Sequence, residues 1–258
     1  MKHIYKFSIV LLTVFTFIGC NVDDDDSVTV LPMKELTASL SQQVDVIRIA
    51  DDATSYDLVI NFSEALPSYS TIEYSLDGGA TTTSSASSGD NTLVIPIAFD
   101  EDKFYRDVVL SDFIVVNAAA RRFSTSITGN SSLRIARQGT IFAAPGSVEI
   151  TVTWSDSSKD LDIFLIEGNQ DLGGALLDDS QGVTTTEQVV LSADEEGVFS
   201  LYMYEWNFDY PVDYEINYVF EDGQVLSFDS NITSDSFQFT MSKSNDGAQM
   251  ICYINKIE

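Results

Sequence analysis

Asp156, Asp160 and Asp162 crowd the stretch WSDSSKDLDIF, and Asp178 and Asp179 follow after one short connection. Carboxylates so placed can surround a hard cation without help from other residue types. Calcium takes six to eight oxygen ligands in flexible geometry, so a carboxylate-rich loop rim is the right chemical type. If residues 160–165 form a strand, Asp160 and Asp162 share one face and Leu161, Ile163 and Leu165 the other. Asp156 would then sit in the preceding turn, with Asp178 and Asp179 in the next loop. The spacing does not match the twelve-residue loop of an EF-hand. Calcium is therefore the candidate cofactor, and the residues indicate no other. The same aspartates also read as turn formers and solvated strand residues in a very acidic chain, and composition leaves the two readings open.

The second candidate site is aromatic. In YMYEWNFDYPVDY, residues 202–214, Tyr202, Tyr204, Trp206, Phe208 and Tyr210 recur at every second position. The later ones run into a proline-containing loop with Asp209 and Asp213. Aromatic faces beside acidic acceptors suit sugar rings, which offer apolar faces and hydroxyl donors, and such side chains also anchor protein interfaces. A period-two aromatic series is equally the signature of a strand packed in a sandwich core. Tyr202 and Tyr204 are assigned to the core on that ground. Trp206, Phe208 and Tyr210 stay open between core and ligand-binding surface.

Much nucleophilic chemistry is excluded. The only histidine, His3, lies in the N-terminal apolar segment, so the body of the chain has no Ser-His-Asp or Cys-His system. Zinc sites lose their commonest nitrogen ligand with it. A carboxylate pair could still hydrolyse a glycosidic bond. With 40 acidic side chains, however, some pair falls at a suitable separation by chance. No catalytic residue is assigned, and the chain reads as a non-enzyme.

A formal charge of −27 argues against nucleic acid as a partner. Phosphate binding needs clustered Lys and Arg, and Arg121, Arg122, Arg134 and Arg137 are few against that field. The two cysteines, Cys20 and Cys252, are treated below as having separate fates, so no intramolecular disulfide is expected and a core must hold the fold. Cys252 is left either buried or crosslinking two chains.

The elements that would position these residues read as strands. In SYDLVINFS, Tyr56, Leu58, Ile60 and Phe62 alternate with Asp57, Val59 and Asn61. Ile72, Tyr74 and Leu76 repeat the pattern before Asp77-Gly78-Gly79, a tight-turn signal. Leu93, Ile95 and Ile97 follow, with Pro96 marking an edge strand. TTTSSASSGDN is either a loop or a Thr-rich edge strand. Residues 107–123 carry both helical and strand signals, of which strand is preferred. Gly139, Pro145 and Gly146 mark a boundary, beyond which Val148, Ile150, Val152 and Trp154 alternate cleanly and Trp154 is placed in the core. Glu221-Asp222-Gly223 and Asp246-Gly247 read as hairpin turns.

The N-terminal stretch FIGCNVDDDDSV follows Lys2, Lys6 and an uncharged apolar run from Phe7 to Ile18, too short to span a bilayer and ending in acid. Phe17-Ile18-Gly19-Cys20 resembles the lipobox of bacterial lipoproteins, although Phe17 departs from the usual aliphatic residue. The resemblance implies that Cys20 is acylated and becomes the mature N-terminus. Asp23, Asp24, Asp25 and Asp26 resemble the export signal that sends Bacteroidota lipoproteins to the outer face of the outer membrane. An ordinary secretory signal with a solvated charge run is the alternative.

Further in, NFSEALPS with LSDFIVVNAA looks like bacterial immunoglobulin-like modules. WSDSSKDLDIFLIEG, with DEEGVFSLYMYEW and VDYEINYVFEDG, resembles the β-sandwich modules of the pre-peptidase C-terminal type and related jelly-roll domains. Val198 and Phe199 depart from that pattern after Gly197.

The expected organisation is all-β: a signal peptide over 1–19, a lipidated acidic tether over 20–36, an immunoglobulin-like antiparallel sandwich over 37–142, and a jelly-roll-like antiparallel sandwich over 146–258. The expected role is a surface lipoprotein, anchored in outer-membrane lipid through Cys20 and facing the exterior, that binds an extracellular glycan or protein. The alternatives are an accessory subunit of an outer-membrane complex and, behind it, a carboxylate-based hydrolase.

Overall fold

The computed structural model describes residues 33–100, 102–116 and 122–257. Cys20, Asp23 to Asp26 and Arg121 lie outside the described residues, as do the whole signal segment and most of the tether. Among the described residues there is no helix, and the strands form four sheets around two separate cores. The protein is all-β, two consecutive sandwiches.

The first sandwich holds β1 (Lys34–Leu40), β2 (Val46–Ile49), β3 (Ser55–Phe62), β4 (Ser70–Leu76), β5 (Thr82–Ala86), β6 (Thr92–Ala98), β7 (Tyr105–Val115), β8 (Phe123–Ile127) and β9 (Ser132–Arg137). Its sheets run β6-β3-β1-β8 and β2-β9-β7-β4-β5. Most pairs are antiparallel, but β1 runs parallel to β8 and β2 parallel to β9. Alternation decides what is buried. Leu58, Ile60 and Phe62 face inward with Ile72, Phe113 and Val115 from the other sheet, and Phe62 stacks on Phe113 at 5.3 Å. Residues 105–115 are strand, and the Thr-rich stretch is the edge strand β5. Pro96 lies on β6, an edge where its missing N–H leaves no ladder bond unmade. Asp77 and Gly78 both take positive φ, as the turn signal requires.

The second sandwich holds β10 (Thr140–Ala143), β11 (Val148–Trp154), β12 (Leu161–Glu167), β13 (Leu176–Ser180), β14 (Thr186–Leu191), β15 (Gly197–Glu205), β16 (Val212–Phe220), β17 (Val225–Ile232), β18 (Ser236–Asn245) and β19 (Met250–Lys256). A six-stranded sheet, β10-β19-β18-β15-β12-β13, packs on a four-stranded one, β14-β11-β16-β17. β10 pairs with β19, so residues 140–142, assigned from sequence to the first sandwich, belong to the second. Trp154 is core, its indole N–H donating to the Lys159 carbonyl at 3.1 Å. Cys252 is free and fully buried, and burial pushes its thiol up to about 12, so no thiolate is available for crosslinking.

The link between the sandwiches is short and clamped. Arg134 lies over Phe142 at 4.3 Å and Tyr105 at 5.1 Å, and its guanidinium donates to both oxygens of Asp107 at 2.6 and 2.8 Å. Phe104 stacks on Tyr253 at 4.2 Å. Arg48 donates to the carbonyls of Arg137 and Thr140, and Arg137 is itself buried against the carbonyls of Lys103 and Asp100. At Gly139 a Cβ would lie 2.1 Å from the Ile254 carbonyl oxygen, so the chain passes there only as glycine. Arg134 and Arg137 thus serve the junction and are not free for a phosphate ligand.

Candidate functional site

Register places the aromatic series. Across β12 and β15, Asp162 opposes Tyr204 and Phe164 opposes Tyr202, while Tyr202 opposes Phe237 on β18. Residues directly opposite each other share a face. The other face carries Leu161, Ile163, Leu165, Phe199, Leu201 and Met203, all core. Tyr202 and Tyr204 therefore point outward, half-buried, and their assignment to the core is corrected. Both faces of β15 carry apolar side chains, so periodicity alone could not say which face met the other sheet.

The outer face carries a continuous row of rings. Tyr204 lies 6.1 Å from Trp206 and stacks on Phe164 at 5.7 Å; Phe164 is 6.4 Å from Tyr202, which meets Phe237 edge-on at 5.3 Å. Such offset and edge-to-face pairs add about 0.5–1.5 kcal/mol each beyond area burial. Sequence reading singled out neither Phe164 nor Phe237. For Phe164 the signal was its place between Asp162 and Ile166, on the face opposite Leu161, Ile163 and Leu165.

A buried carboxylate holds the end of this row. Glu205 is fully buried. It accepts the backbone N–H of Asp160 at 3.3 Å and of Asp209 at 2.6 Å, tying the entry to β12 to the turn after β15. The N–H of Trp206 donates to the Asp160 carbonyl at 2.8 Å, and that of Phe208 to the Glu205 carbonyl at 3.0 Å. On this turn Trp206 and Phe208 are 59% and 70% exposed, and Phe208 adopts φ 59°, a conformation uncommon for a bulky residue. Tyr210 differs. Its hydroxyl donates to Asp235 and accepts the Glu205 N–H at 2.8 Å, which makes it a strut of the turn. Of the three ligand-binding candidates, Trp206 and Phe208 are presented to solvent and Tyr210 is half-buried in this bracing.

The five aspartates do not converge. Asp156 accepts the hydroxyl and N–H of Ser158 in its own turn, and those bonds hold its carboxyl below the usual range. Asp178 and Asp179 lie on strand β13, where successive side chains point to opposite faces. Asp178 accepts the Val190 N–H at 2.7 Å, while Asp179 accepts the Gln181 amide. Among the described residues no three Asp, Glu, Cys or His side chains come together as a metal-ligand set.

Asp160 and Asp162 do meet. With Gln181, Gly182, Val183 and Trp206 they line an open cavity of about 280 Å³. Asp162 is only 3% exposed. Desolvation raises its pKa, with Asp160, Glu187 and Asp179 adding to the shift against a hydrogen bond from the Tyr204 hydroxyl. Tyr204 in turn is pushed up to about 12 by burial and by that bond. Glu187, nearly buried, accepts from Ser180, Gly182 and Thr184 and shapes the loop on the far side. Asp160 Oδ1 is a buried acceptor with no donor among the described residues. What this arrangement can do chemically is present an exposed indole face at a cavity whose wall includes Asp160 and the nearly buried Asp162.

No family model and no curated protein matches the chain. Solved structures do. The CBD12 region of CALX1.2 is 12% identical, with a TM-score of 0.30 over 65% of this chain and 79% of that one. The apo form of the Calx CBD1 domain is 10% identical, with a TM-score of 0.29 over 40% and 97%. A tetra-tandem repeat from the extending region of a large adhesion protein is 11% identical, with a TM-score of 0.23 over 86% and 63%.

Proposed function

We propose that this chain is a non-catalytic binding module, carried outside the cell on an acylated Cys20, that grips an extracellular glycan on the outer face of its second sandwich. The observation that carries the reading is the exposed Trp206 face set beside the Asp160 and Asp162 carboxylates. Apolar stacking with acceptors alongside matches the two faces of a sugar, its C–H surface and its hydroxyl donors. The address rests on Phe17 to Cys20 and on Asp23 to Asp26.

Calcium has a confined place in this proposal. Two carboxylates supply a fraction of the six to eight oxygens it requires, so a calcium ion at Asp160 and Asp162 would draw the rest from water and ligand hydroxyls. Calcium then affects binding, and the melting temperature of the free protein stays unchanged on adding it.

The test is a glycan array probed with the chain from Ser27 onward, which contains every described strand, with calcium and again with chelator. Trp206→Ala serves as the control. Binding to a sugar class, lost in Trp206→Ala, supports the reading. Silence in both conditions, or release of reducing ends from a bound polysaccharide, overturns it. Acyl labelling of the whole chain, abolished by Cys20→Ser, tests the anchor separately.

A further inference from the structure

We infer that the outer face of the six-stranded sheet is an elongated groove that takes a linear, non-acidic polysaccharide along its row of rings, with a ligand hydroxyl or amino group donating to Asp160 at one end. The inference rests on the glycan reading of the Trp206 site and extends it from one sugar to a chain.

Cavities lie at both ends of the row. Trp206 lines the cavity of about 280 Å³ with Asp160 and Asp162. At the other end Tyr202 and Phe237 line one of about 540 Å³ together with Gln170, Leu172, Asn231 and Asp235. Tyr204 and Phe164 bridge the two through ring contacts of 5.7 to 6.4 Å. One sugar ring fills one end; a ligand that uses both must run the length of the row.

Polar chemistry selects the ligand class. Asp160 lines the cavity beside Trp206, and its Oδ1 has no donor among the described residues. Among the described residues neither cavity is lined by Lys or Arg, whereas Asp160 and Asp162 line one and Asp235 the other. In chelator, with no calcium to bridge it, a polymer bearing uronate or sulfate groups would meet carboxylates in both cavities, in a chain of formal charge −27. Neutral hydroxyls and amino groups are donors and are accepted.

Calorimetric titration with gluco-, manno- and chito-oligosaccharides of two, four and six units, plus oligogalacturonate as the acidic comparison, tests this. For whichever neutral series binds, affinity should rise by about tenfold or more from two units to six, since each added stacking contact contributes up to about one such factor. Phe237→Leu, which keeps apolar bulk but removes the ring, should cut hexamer affinity about tenfold and leave the dimer bound at Trp206 unaffected. Asp160→Ala should weaken both. Binding lost in Trp206→Ala yet independent of chain length, or unaffected by Phe237→Leu, overturns the groove and leaves the single-sugar reading standing. Oligogalacturonate binding as tightly as the neutral series in chelator also overturns it. No binding by any neutral series, with melting temperatures unchanged, overturns both.

Discussion

Replacing Glu205 by alanine should unfasten the turn that presents Trp206. The Glu205 side chain is fully buried, and its two oxygens accept the backbone N–H groups of Asp160 and Asp209. Alanine removes both acceptors and leaves two donors without partners, at about 1–3 kcal/mol each. Water entering the vacated space, and relief from holding a carboxylate out of water, offset part of that loss. The expected net destabilisation is about 3 kcal/mol. For a folded chain of some two hundred residues, 1 kcal/mol moves the melting temperature by about 2–4 °C, so a fall of about 10 °C should follow. Glu205→Gln keeps one acceptor and should fall between the two. Urea titration and thermal scans would measure both variants, with the Trp206 fluorescence maximum reporting the turn. A loss below about 0.5 kcal/mol for Glu205→Ala would refute the claim that this carboxylate organises the site.

Three further outcomes are expected. Phe208→Gly should raise stability by about 1 kcal/mol, because φ 59° suits glycine and the ring gives up little burial, while glycan affinity stays level or falls; a drop in stability would mean that the ring packs more than its exposure shows. Asp162→Asn should stabilise the protein at neutral pH: the folded pKa of Asp162 is raised by desolvation, so the folded state binds more protons and parent stability falls as pH rises from the ordinary Asp range through that raised value. Melting curves across that window should converge with the Asn variant at the acid end, and parallel curves would contradict this. Arg134→Ala, which loses the Asp107 pair and two ring contacts, should weaken the junction by about 1–2 kcal/mol and expose the segment around Gly139 to limited proteolysis; an unchanged cleavage pattern would show the clamp to be incidental.

How much the sequence disclosed follows from what a strand pattern encodes. Period-two alternation located β3, β4, β6 and β11, and Asp77-Gly78 located the turn after β4, because burial and backbone geometry are local constraints. The edge position of β6 was readable for the same reason, since Pro96 cannot donate to a neighbour. β15 was readable only in part. Apolar residues fill both its faces, and the choice between them is made by Leu161, Ile163 and Leu165 on a strand some forty residues earlier. Asp178 and Asp179 misled in a related way: adjacent aspartates suggest a loop rim, but on β13 they point to opposite faces and cannot share a cation. Glu205 gave no sign, since nothing local marks a carboxylate whose partner, the Asp160 N–H, lies 45 residues earlier in the chain. The junction was hidden too, because Arg134 and Arg137, two of the four arginines read as a weak basic cluster, are spent on rings and carbonyls between the sandwiches.

The most direct test of the whole account is binding of the chain from Ser27 onward to a glycan array, beside Trp206→Ala and the double variant Tyr204→Leu/Phe164→Leu. The account predicts selective binding to a neutral or amino-bearing linear glycan, lost in both variants while their folds persist. Binding retained in both, or confined to acidic glycans, would contradict it.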